Sequence, residues 1–207
     1  MVAPRSASAP RHLWLEFINT DSTPAGIDAL ASFGAYVDWL ERAGVLENER
    51  GGTLQRRALL QPAGATAALL EARRMRSALR ALAERGPTDE RPRAFALAEL
   101  NRVLGRSAGM RRVEQLEDGR FVRSFVTTGD AFAGLLIPLV ESATDSLVRG
   151  ELGRVRRCTG TRCVRVFFDA SKNGSRRWCA MGTCGNRAKA NRFRKNTRSR
   201  NRDKETG

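Results

Sequence analysis

The sequence predicts an α+β protein with a mainly helical N-terminal domain, which carries a small β-hairpin, and a small C-terminal unit built around four cysteines. Apolar residues recur at three- and four-residue steps through much of the first 150 residues, as in amphipathic helices. Asp118-Gly119 lies between two alternating segments, which is a strong hairpin signal. All four cysteines of the 207-residue chain lie close together near its end. With 41% hydrophobic residues, the chain can bury a core of ordinary size.

Composition divides the chain into two folded parts and two tails. The segments are a disordered tail at 1–11, a helical domain at 12–150, a cysteine unit at 151–197 and a basic, disordered tail at 198–207. The N-terminal residues lack the apolar stretch of a secretion signal, and no apolar run reaches the length of a membrane span. We therefore expect a soluble, cytoplasmic protein with no membrane partner.

The first ordered segment is predicted to run from His12 to Thr20. Its apolar residues alternate along the chain, which favours a short strand, with a helical turn as the alternative for so brief a run. Asn19 and Thr20 at its end are expected to cap or turn the chain. Contact with a ligand is their alternative role.

Helical spacing predicts two helices in the next 60 residues. The first lies between Gly26 and Leu46 and ends near Gly44, because glycine suits a helix C-terminus. The second runs from Gly64 to Arg85 and is stopped by Gly86-Pro87. Its predicted buried stripe is Leu69 or Leu70, Ala72 or Arg73, Met75, Leu79 and Leu82. Four arginines on it are interpreted as solvated surface: Arg73, Arg74, Arg76 and Arg80.

Two further helices flank the predicted hairpin. One covers Arg93 to Leu104, and its inward residues are predicted to be Phe95, Leu97 or Ala98, Leu100 and Leu104. The hairpin arms are 113–116 and 121–127. The last helix spans Asp130 to Gly150, with Asp130 at the positive end of the helix dipole and a kink expected at Pro138.

The cysteines follow the pattern C-x4-C-x15-C-x4-C, which is typical of a metal site. Structural zinc takes four ligands tetrahedrally, and each close pair of thiolates fits on one tight turn. Glycines inside both pairs suit such turns, and the only histidine, His12, is far away in sequence. Two disulfides or four unrelated buried thiols are the alternatives, although disulfides belong to oxidising compartments. The predicted ligands of one structural zinc ion are Cys158, Cys163, Cys179 and Cys184.

The predicted fold of the cysteine unit is a knuckle, a hairpin and a helix. Alternation from Val164 to Phe168 predicts a strand, and residues 169–174 predict a polar turn. Trp178 and Cys179 are then expected on the return arm or at the start of the next element. Residues 186–196 lack proline and glycine and predict a helix with Phe193 as its inward anchor. About forty residues cannot bury a sufficient core, so the metal would supply folding free energy on the order of ten kcal/mol.

Positive charge is concentrated in the same region. Residues 151–207 hold 17 of the 37 Lys and Arg residues but only 4 of the 22 Asp and Glu residues. A basic patch confined to one module is the electrostatic footprint of a nucleic-acid partner, and arginine suits phosphate and guanine. A solubilising surface is the alternative. The predicted nucleic-acid-binding residues are Arg176, Arg177, Asn186, Arg187, Lys189, Arg192, Arg194 and Lys195.

Two stretches resemble known bacterial families. Residues 168–187, FDASKNGSRRWCAMGTCGNR, are similar to the CGNR zinc finger, which is named for Cys184 to Arg187. In that family the finger follows an ABATE domain, whose N-terminal motif resembles Leu15 to Thr20 here. Proteins of this architecture are regarded as stress-related transcription regulators. The resemblance implies zinc on the four cysteines and a DNA-binding role for the basic residues.

A search for catalytic motifs favours a protein that is not an enzyme. The sequence has no Gly-rich phosphate loop in a strand-to-helix context, no nucleophile elbow and no histidine beside the cysteines. We predict a zinc-dependent, DNA-binding bacterial transcription regulator with an Arg-rich helix, whose N-terminal domain senses an unknown small-molecule effector or contacts proteins. The alternatives are an RNA- or ribosome-associated zinc protein, an adaptor for an acidic protein partner, and an enzyme with an unrecognised N-terminal site.

Overall fold

The computed structural model describes residues 12–21, 28–106, 109–115, 121–127 and 132–194. The chain divides into two compact units, with the boundary between Gly153 and Arg154. No helix among the described residues has the length and apolar character needed to cross a membrane.

The first unit is mainly helical, with one two-stranded sheet, and this confirms the predicted fold class. In chain order its elements are α1 (Leu13–Ile18), α2 (Phe33–Arg42), α3 (Asn48–Leu60), α4 (Pro62–Arg85), α5 (Glu90–Arg106), β1 (Gly109–Gln115), β2 (Phe121–Thr127) and α6 (Ile137–Val148). Short 3-10 turns follow α1 and α6, at Asn19–Asp21 and Glu151–Arg154.

The long helix α4 lies at the centre of the first unit and packs against α1, α2, α3 and α5, while α6 packs against α1 and α5. Burial of the apolar side chains between these helices is the main source of stability. The largest fully buried side chains are Trp14, Phe17, Ile18, Leu30, Tyr36, Val37, Leu40, Met75, Leu79, Leu82, Ile137 and Leu139.

The segment His12 to Thr20 forms α1 and a 3-10 turn, so the favoured strand is wrong and the helical alternative is confirmed. Every apolar side chain of α1 is buried, and Glu16 is exposed. Because neighbouring helices cover α1 on most sides, its six residues show no helical period. Trp14 Nε1 donates a hydrogen bond to Ser146 Oγ at 3.0 Å, which joins α1 to α6.

Helix α2 is shorter than the predicted amphipathic helix. Ser32 caps its N-terminus by accepting a hydrogen bond from the Ala35 N–H at 3.1 Å. Gly44 follows its C-terminus with φ of 71°, in the left-handed region where glycine ends helices readily.

Helix α3 has no counterpart in the sequence prediction. It contains two adjacent glycines, and only Gly51 and Leu54 within it are buried. Gly51 packs so closely against the Glu41 side chain of α2 that a Cβ would overlap the carboxylate. This close approach accounts for a glycine inside a helix, where it costs about 1 kcal/mol relative to alanine.

Helix α4 begins two residues before its predicted start and ends at the predicted Arg85. Pro62 lies in its first turn, where the missing N–H removes no helical hydrogen bond. The predicted stripe is confirmed, since its buried members are Leu69, Ala72, Met75, Leu79 and Leu82.

Arg73, Arg76 and Arg80 of α4 are partly buried and bond to neighbouring segments, so their interpretation as solvated surface is wrong. Arg74 keeps a side chain that is 59% exposed. Arg76, whose side chain is 13% exposed, donates to both carboxylate oxygens of Asp28 at 2.5 and 2.7 Å. This pairing lowers the pKa of Asp28. Arg80 donates to Asp21 at 2.6 Å and to the Ile18 carbonyl at 2.9 Å. These charge-assisted bonds hold the end of α1 against α4.

Helix α5 is confirmed, but of its predicted inward residues only Leu100 is buried. Phe95 and Leu97 are 46% and 42% exposed, and the buried residues are Ala96, Glu99, Leu100 and Val103. Glu99 is accommodated because its carboxylate accepts hydrogen bonds from Arg74 at 2.6 Å and from Arg102 at 3.1 Å. A pattern of hydrophobic residues cannot indicate a buried carboxylate of this kind.

The predicted hairpin is confirmed by the antiparallel pairing of β1 with β2, from Gly109 opposite Thr127 to Gln115 opposite Phe121. Its turn at Asp118-Gly119 lies outside the described residues, as does Asp130.

Helix α6 begins at Ile137, so Pro138 lies in its first turn. The kink predicted at Pro138 is therefore wrong, because a first-turn proline interrupts no i to i−4 hydrogen bond.

The second unit contains β3 (Val155–Arg157), β4 (Val166–Phe168), a π-helical turn (Met181–Gly185) and the helix α7 (residues 186–194). Strand β4 pairs antiparallel with β3, which precedes the first cysteine, and not with the predicted return arm. The return arm bonds instead to the first cysteine turn, where the Thr159 N–H donates to the Arg177 carbonyl at 2.9 Å. The predicted pairing within the hairpin is therefore wrong.

Phe193 was expected to anchor α7 and is 74% exposed, so that prediction is also wrong. The partly covered residues of α7 are Ala188 and Asn191. Helix α7 continues directly from the π-helical turn that carries Cys184.

Candidate metal centre and basic helix

The four cysteine thiols of the second unit form one cluster. Their Sγ atoms all lie within 4.8 Å of one another, and the Cys163–Cys179 and Cys179–Cys184 Sγ distances are both 3.8 Å. Zinc–thiolate bonds of about 2.3 Å in a tetrahedron place sulfurs about 3.8 Å apart. A disulfide would need about 2.05 Å, and all four thiols are free. The geometry fits one four-coordinate metal ion.

The first cysteine pair is held on a tight turn that depends on Gly160. Cys158 follows β3, the Gly160 N–H donates to its Sγ at 3.4 Å, and the Cys163 N–H donates to the Gly160 carbonyl at 3.0 Å. A Cβ on Gly160 would lie 3.0 Å from the Cys184 Sγ and 3.4 Å from the Cys158 Sγ. The glycine therefore leaves room for sulfurs from both pairs.

The second pair lies at the start of α7. Cys184 is buried within the π-helical turn Met181–Gly185, which continues directly into the basic helix. The Cys179 N–H donates to the Cys158 Sγ at 3.3 Å, so the two pairs are already connected through the protein. Backbone N–H donors to a sulfur stabilise its thiolate form.

The protein alone does not favour four thiolates. Burial raises the pKa of Cys158, but hydrogen bonds from the N–H groups of Cys179 and Gly160 and from the thiols of Cys163 and Cys179 together outweigh burial and bring that pKa to about 7. Burial raises the pKa of Cys179 to about 12 and also raises the pKa of Cys184. A bound cation favours the thiolates, so metal binding at this cluster releases protons.

A small apolar layer covers the cluster. Buried Phe167 packs with Cys158 and Cys184, and Trp178 packs against the same group. This layer limits the access of water to the sulfurs.

Asp169 is a structural centre that the sequence analysis did not single out. It is completely buried, and its carboxylate accepts hydrogen bonds from the Ser171 N–H at 2.9 Å and the Arg176 N–H at 3.0 Å. The Ser171 hydroxyl also donates to it, and these bonds, the hydroxyl first, lower the pKa of Asp169. The feature of the sequence that could have indicated the role of Asp169 is its position as one acidic residue within a strongly basic segment.

The two arginines before Trp178 have different surroundings. Arg176 donates from Nε to the Trp178 carbonyl at 2.9 Å and from Nη2 to the Cys179 carbonyl, and its guanidinium lies 4.8 Å from the Phe167 ring centre. Arg177 lies 5.6 Å from the ring centre of Trp178. Arg176 therefore holds the loop that leads to the second cysteine pair.

The remaining predicted contact residues lie on α7. Four basic side chains of α7 are exposed: Arg187, Lys189, Arg192 and Arg194. Asn186 Nδ2 donates to the Gly182 carbonyl at 3.3 Å, and Arg194 Nη2 donates to Asn191 Oδ1 at 2.5 Å. Lys195 lies outside the described residues.

Asn19 and Thr20 are buried in the first unit, far in sequence from the cysteines. Asn19 Nδ2 donates to the Leu15 carbonyl at 2.8 Å, and Thr20 Oγ1 donates to the Phe17 carbonyl at 2.7 Å. Thr20 Oγ1 also accepts a hydrogen bond from Arg76 at 3.0 Å. Both side chains stabilise the end of α1.

These features define a protein with a helical N-terminal unit and a C-terminal metal-binding finger. The ABATE family model, described as "Putative stress-induced transcription regulator", matches residues 11–150, and the CGNR zinc finger model matches residues 154–197. The chain belongs to this ABATE family, because the first match covers more than half of it. The first family is of regulator type and the second of zinc-finger type. The resemblance that was found from the sequence is therefore confirmed. No curated protein matches the sequence.

Proposed function

We propose that this protein is a zinc-dependent transcription regulator that binds duplex DNA through α7. The observation that carries the proposal is the cluster of four thiols within 4.8 Å at the base of an exposed basic helix. As a bacterial regulator acting on chromosomal DNA, the protein would work in the cytoplasm.

The proposed metal is one structural zinc ion on Cys158, Cys163, Cys179 and Cys184. Four thiolates at tetrahedral spacing suit zinc, and a complete set of protein ligands leaves no open position for a substrate. The zinc ion would therefore stabilise the finger and take no part in catalysis. Its binding free energy replaces the large apolar core that so short a segment lacks.

The proposed DNA interface consists of α7 and the loop before it. Arg187 and Arg194 are seven residues apart and lie on one side of the helix, with Lys189 and Arg192 exposed beside them. Such side chains bind phosphates and, in the major groove, guanine edges. Arg177 and Lys195 complete the proposed contacts. Arg176 and Asn186 support the interface indirectly, since both bond to carbonyls of the finger.

A salt titration of DNA binding tests this proposal. The zinc-loaded protein should bind a labelled duplex with a steep dependence on salt, and the double variant Arg187→Ala/Arg194→Ala should bind more weakly with a slope reduced by about 2. The matched control is Arg56→Ala/Arg93→Ala, which removes two exposed arginines of the first unit and should leave the slope unchanged.

Three results would contradict the proposal. An unchanged slope in the Arg187/Arg194 variant would exclude α7 as the interface. Tight binding after chelation of the metal would exclude zinc dependence. Stronger competition by structured RNA than by duplex DNA at equal salt would favour the RNA-binding alternative.

A further inference from the structure

Helix α7 carries an exposed aromatic side chain that phosphate binding alone does not explain. Phe193 is 74% exposed, and it is the most exposed of the aromatic side chains that the structure describes. Exposed apolar side chains that occur singly are common on protein surfaces. The significance of Phe193 therefore depends on its position relative to the other residues of the helix.

The covered side of α7 shows which side of the helix faces outward. Ala188 and Asn191 are the partly covered residues of α7, and both lie on one side. Successive residues of an α-helix are rotated by about 100° around its axis, so Phe193 lies opposite the covered side. Ala190, three residues earlier, is exposed next to it. Ala190 and Phe193 therefore form an apolar stripe on the outward side of α7.

Positive charge lies on both flanks of this apolar stripe. Arg187 and Arg194 are seven residues apart and lie on one flank, whereas Lys189 and Arg192 are three residues apart and lie on the other. All four are exposed. A helix fits into the major groove, which two phosphate backbones border. In that position the basic flanks face the phosphates, and the apolar stripe faces the base edges.

The side chains of the stripe are chemically suited to one feature of the base edges. Ala190 ends in a methyl group and Phe193 in a phenyl ring, so neither can form a hydrogen bond with a base. The apolar group that a base presents in the major groove is the C5 methyl of thymine, and alanine and phenylalanine both contact it in protein–DNA complexes. The two residues are about 4.5 Å apart along the helix axis. Neighbouring bases of one strand are about 3.4 Å apart, so the stripe can contact adjacent base pairs.

We propose that α7 recognises thymine methyl groups through Ala190 and Phe193. The protein then selects duplex sites that carry thymine at the positions facing this stripe. This inference rests on the proposed function, because it requires α7 to lie in the major groove. It adds the source of sequence selectivity, since contacts with phosphates provide affinity without reading the sequence.

Replacement of thymine by deoxyuridine in a selected duplex tests the proposal. Uracil pairs with adenine as thymine does and lacks only the C5 methyl group. The duplex is obtained by in vitro selection from a random library with the zinc-loaded, full-length protein, and its thymines are then replaced one at a time. Binding should weaken about fourfold at each contacted thymine, which corresponds to the burial of one carbon group. Replacement at the other thymines should have no effect.

Variants at Phe193 assign the contact to this side chain. Phe193→Ala should abolish the sensitivity to deoxyuridine at the thymine that Phe193 contacts, whereas Phe193→Leu, which keeps a large apolar side chain, should retain part of it. Both variants should keep the wild-type salt slope, because neither removes a charge. The matched control is Leu60→Ala, which shortens an apolar side chain of α3 that is 83% exposed. It should bind every duplex as the wild type does. Stoichiometric zinc establishes that the finger of each variant is folded.

The outcomes separate this inference from the proposed function. Absence of salt-dependent binding to any duplex would refute the proposed function, and this inference with it. Salt-dependent binding in which no thymine responds to deoxyuridine would leave DNA binding in place and refute the thymine contact alone. Wild-type sensitivity at every thymine in zinc-loaded Phe193→Ala would overturn the role of Phe193.

Discussion

Asp169 is the only acidic residue between Arg154 and Lys195, yet it is completely buried. Its carboxylate oxygens accept hydrogen bonds from N–H groups at both ends of the turn between β4 and Arg176. This turn also positions Arg176, whose side chain donates hydrogen bonds to the carbonyls of Trp178 and Cys179. One side chain thus connects β4 to the second cysteine pair.

The substitution Asp169→Asn tests this connection. An amide cannot accept from all the donors around Asp169, since one of its two positions is itself an NH2 group. We expect zinc affinity to fall on the order of tenfold, as for other groups that orient metal ligands. Competition with a chromophoric chelator measures the affinity. Asp145→Asn, which removes an exposed carboxylate of α6, is the control and should have no effect. Wild-type affinity in Asp169→Asn would show that the turn forms without the carboxylate.

A second prediction at the scale of the residue concerns the effect of Tyr36 on stability. Tyr36→Phe removes a buried hydroxyl that has no partner among the described residues and keeps the ring. Because the unpaired hydroxyl costs free energy, the variant should be more stable by about 1 kcal/mol. In a chain of this size the melting temperature should rise by about 2 to 4 °C. Scanning calorimetry measures the change. A loss of stability would mean that the hydroxyl is satisfied within the protein.

At the scale of elements, each cysteine turn contains a glycine, and the space around the two glycines differs. A Cβ at Gly160 would lie 3.0 Å from Cys184 Sγ, whereas a Cβ at Gly182 would meet nothing within 4 Å. Both positions are glycine, but only the first is required by close packing.

The variants Gly160→Ala and Gly182→Ala therefore form a matched pair. Gly160→Ala should weaken zinc binding about tenfold or more, because its Cβ pushes against two sulfurs of the cluster. Gly182→Ala should keep zinc affinity within about twofold of the wild type. Both affinities are measured by the same chelator competition. Equal effects of the two substitutions would show that backbone flexibility, and not space beside the sulfurs, determines the affinity.

Elements could be predicted from the sequence where one face alone is buried. The stripe of α4 from Leu69 to Leu82 is such a case, and it was predicted correctly. For helix α1 a strand was favoured over a helical turn, because the segment is buried on most sides and shows no helical period. Helix α3 was missed because only Gly51 and Leu54 are buried within it. Tertiary contacts, which sequence periodicity does not encode, decide such segments.

The candidate site, too, could be predicted from the sequence only in part. The proximity of the cysteines could be predicted because a tight turn brings together two cysteines that are separated by four residues, and metal chemistry then joins the two pairs. The roles of Asp169 and Arg176 could not, because a hydrogen bond to a backbone carbonyl or N–H leaves no periodic signal.

At the scale of the whole molecule, the two units gain their stability from different sources. The first unit has an extensive apolar core around α4. Among the described residues of the second unit, the buried apolar side chains beside the cysteines are Val155, Val166 and Phe167, with Trp178 partly buried. We therefore expect the second unit to depend on a bound metal in a way that the first does not.

Removal of the metal should then unfold one unit only. Treatment with a strong chelator should expose Trp178 and abolish the protection of finger amides from hydrogen exchange, while amides of α4 stay protected. The physical reason is that the finger loses its main source of folding free energy, whereas the core around Met75 and Leu79 is untouched. Hydrogen exchange with mass spectrometry measures both units in one sample. Cys184→Ser with zinc present should reproduce the chelated pattern, and Thr159→Ser, which keeps the hydroxyl at that exposed position, should not. Loss of protection throughout α4 on chelation would instead show that the two units fold as one cooperative structure.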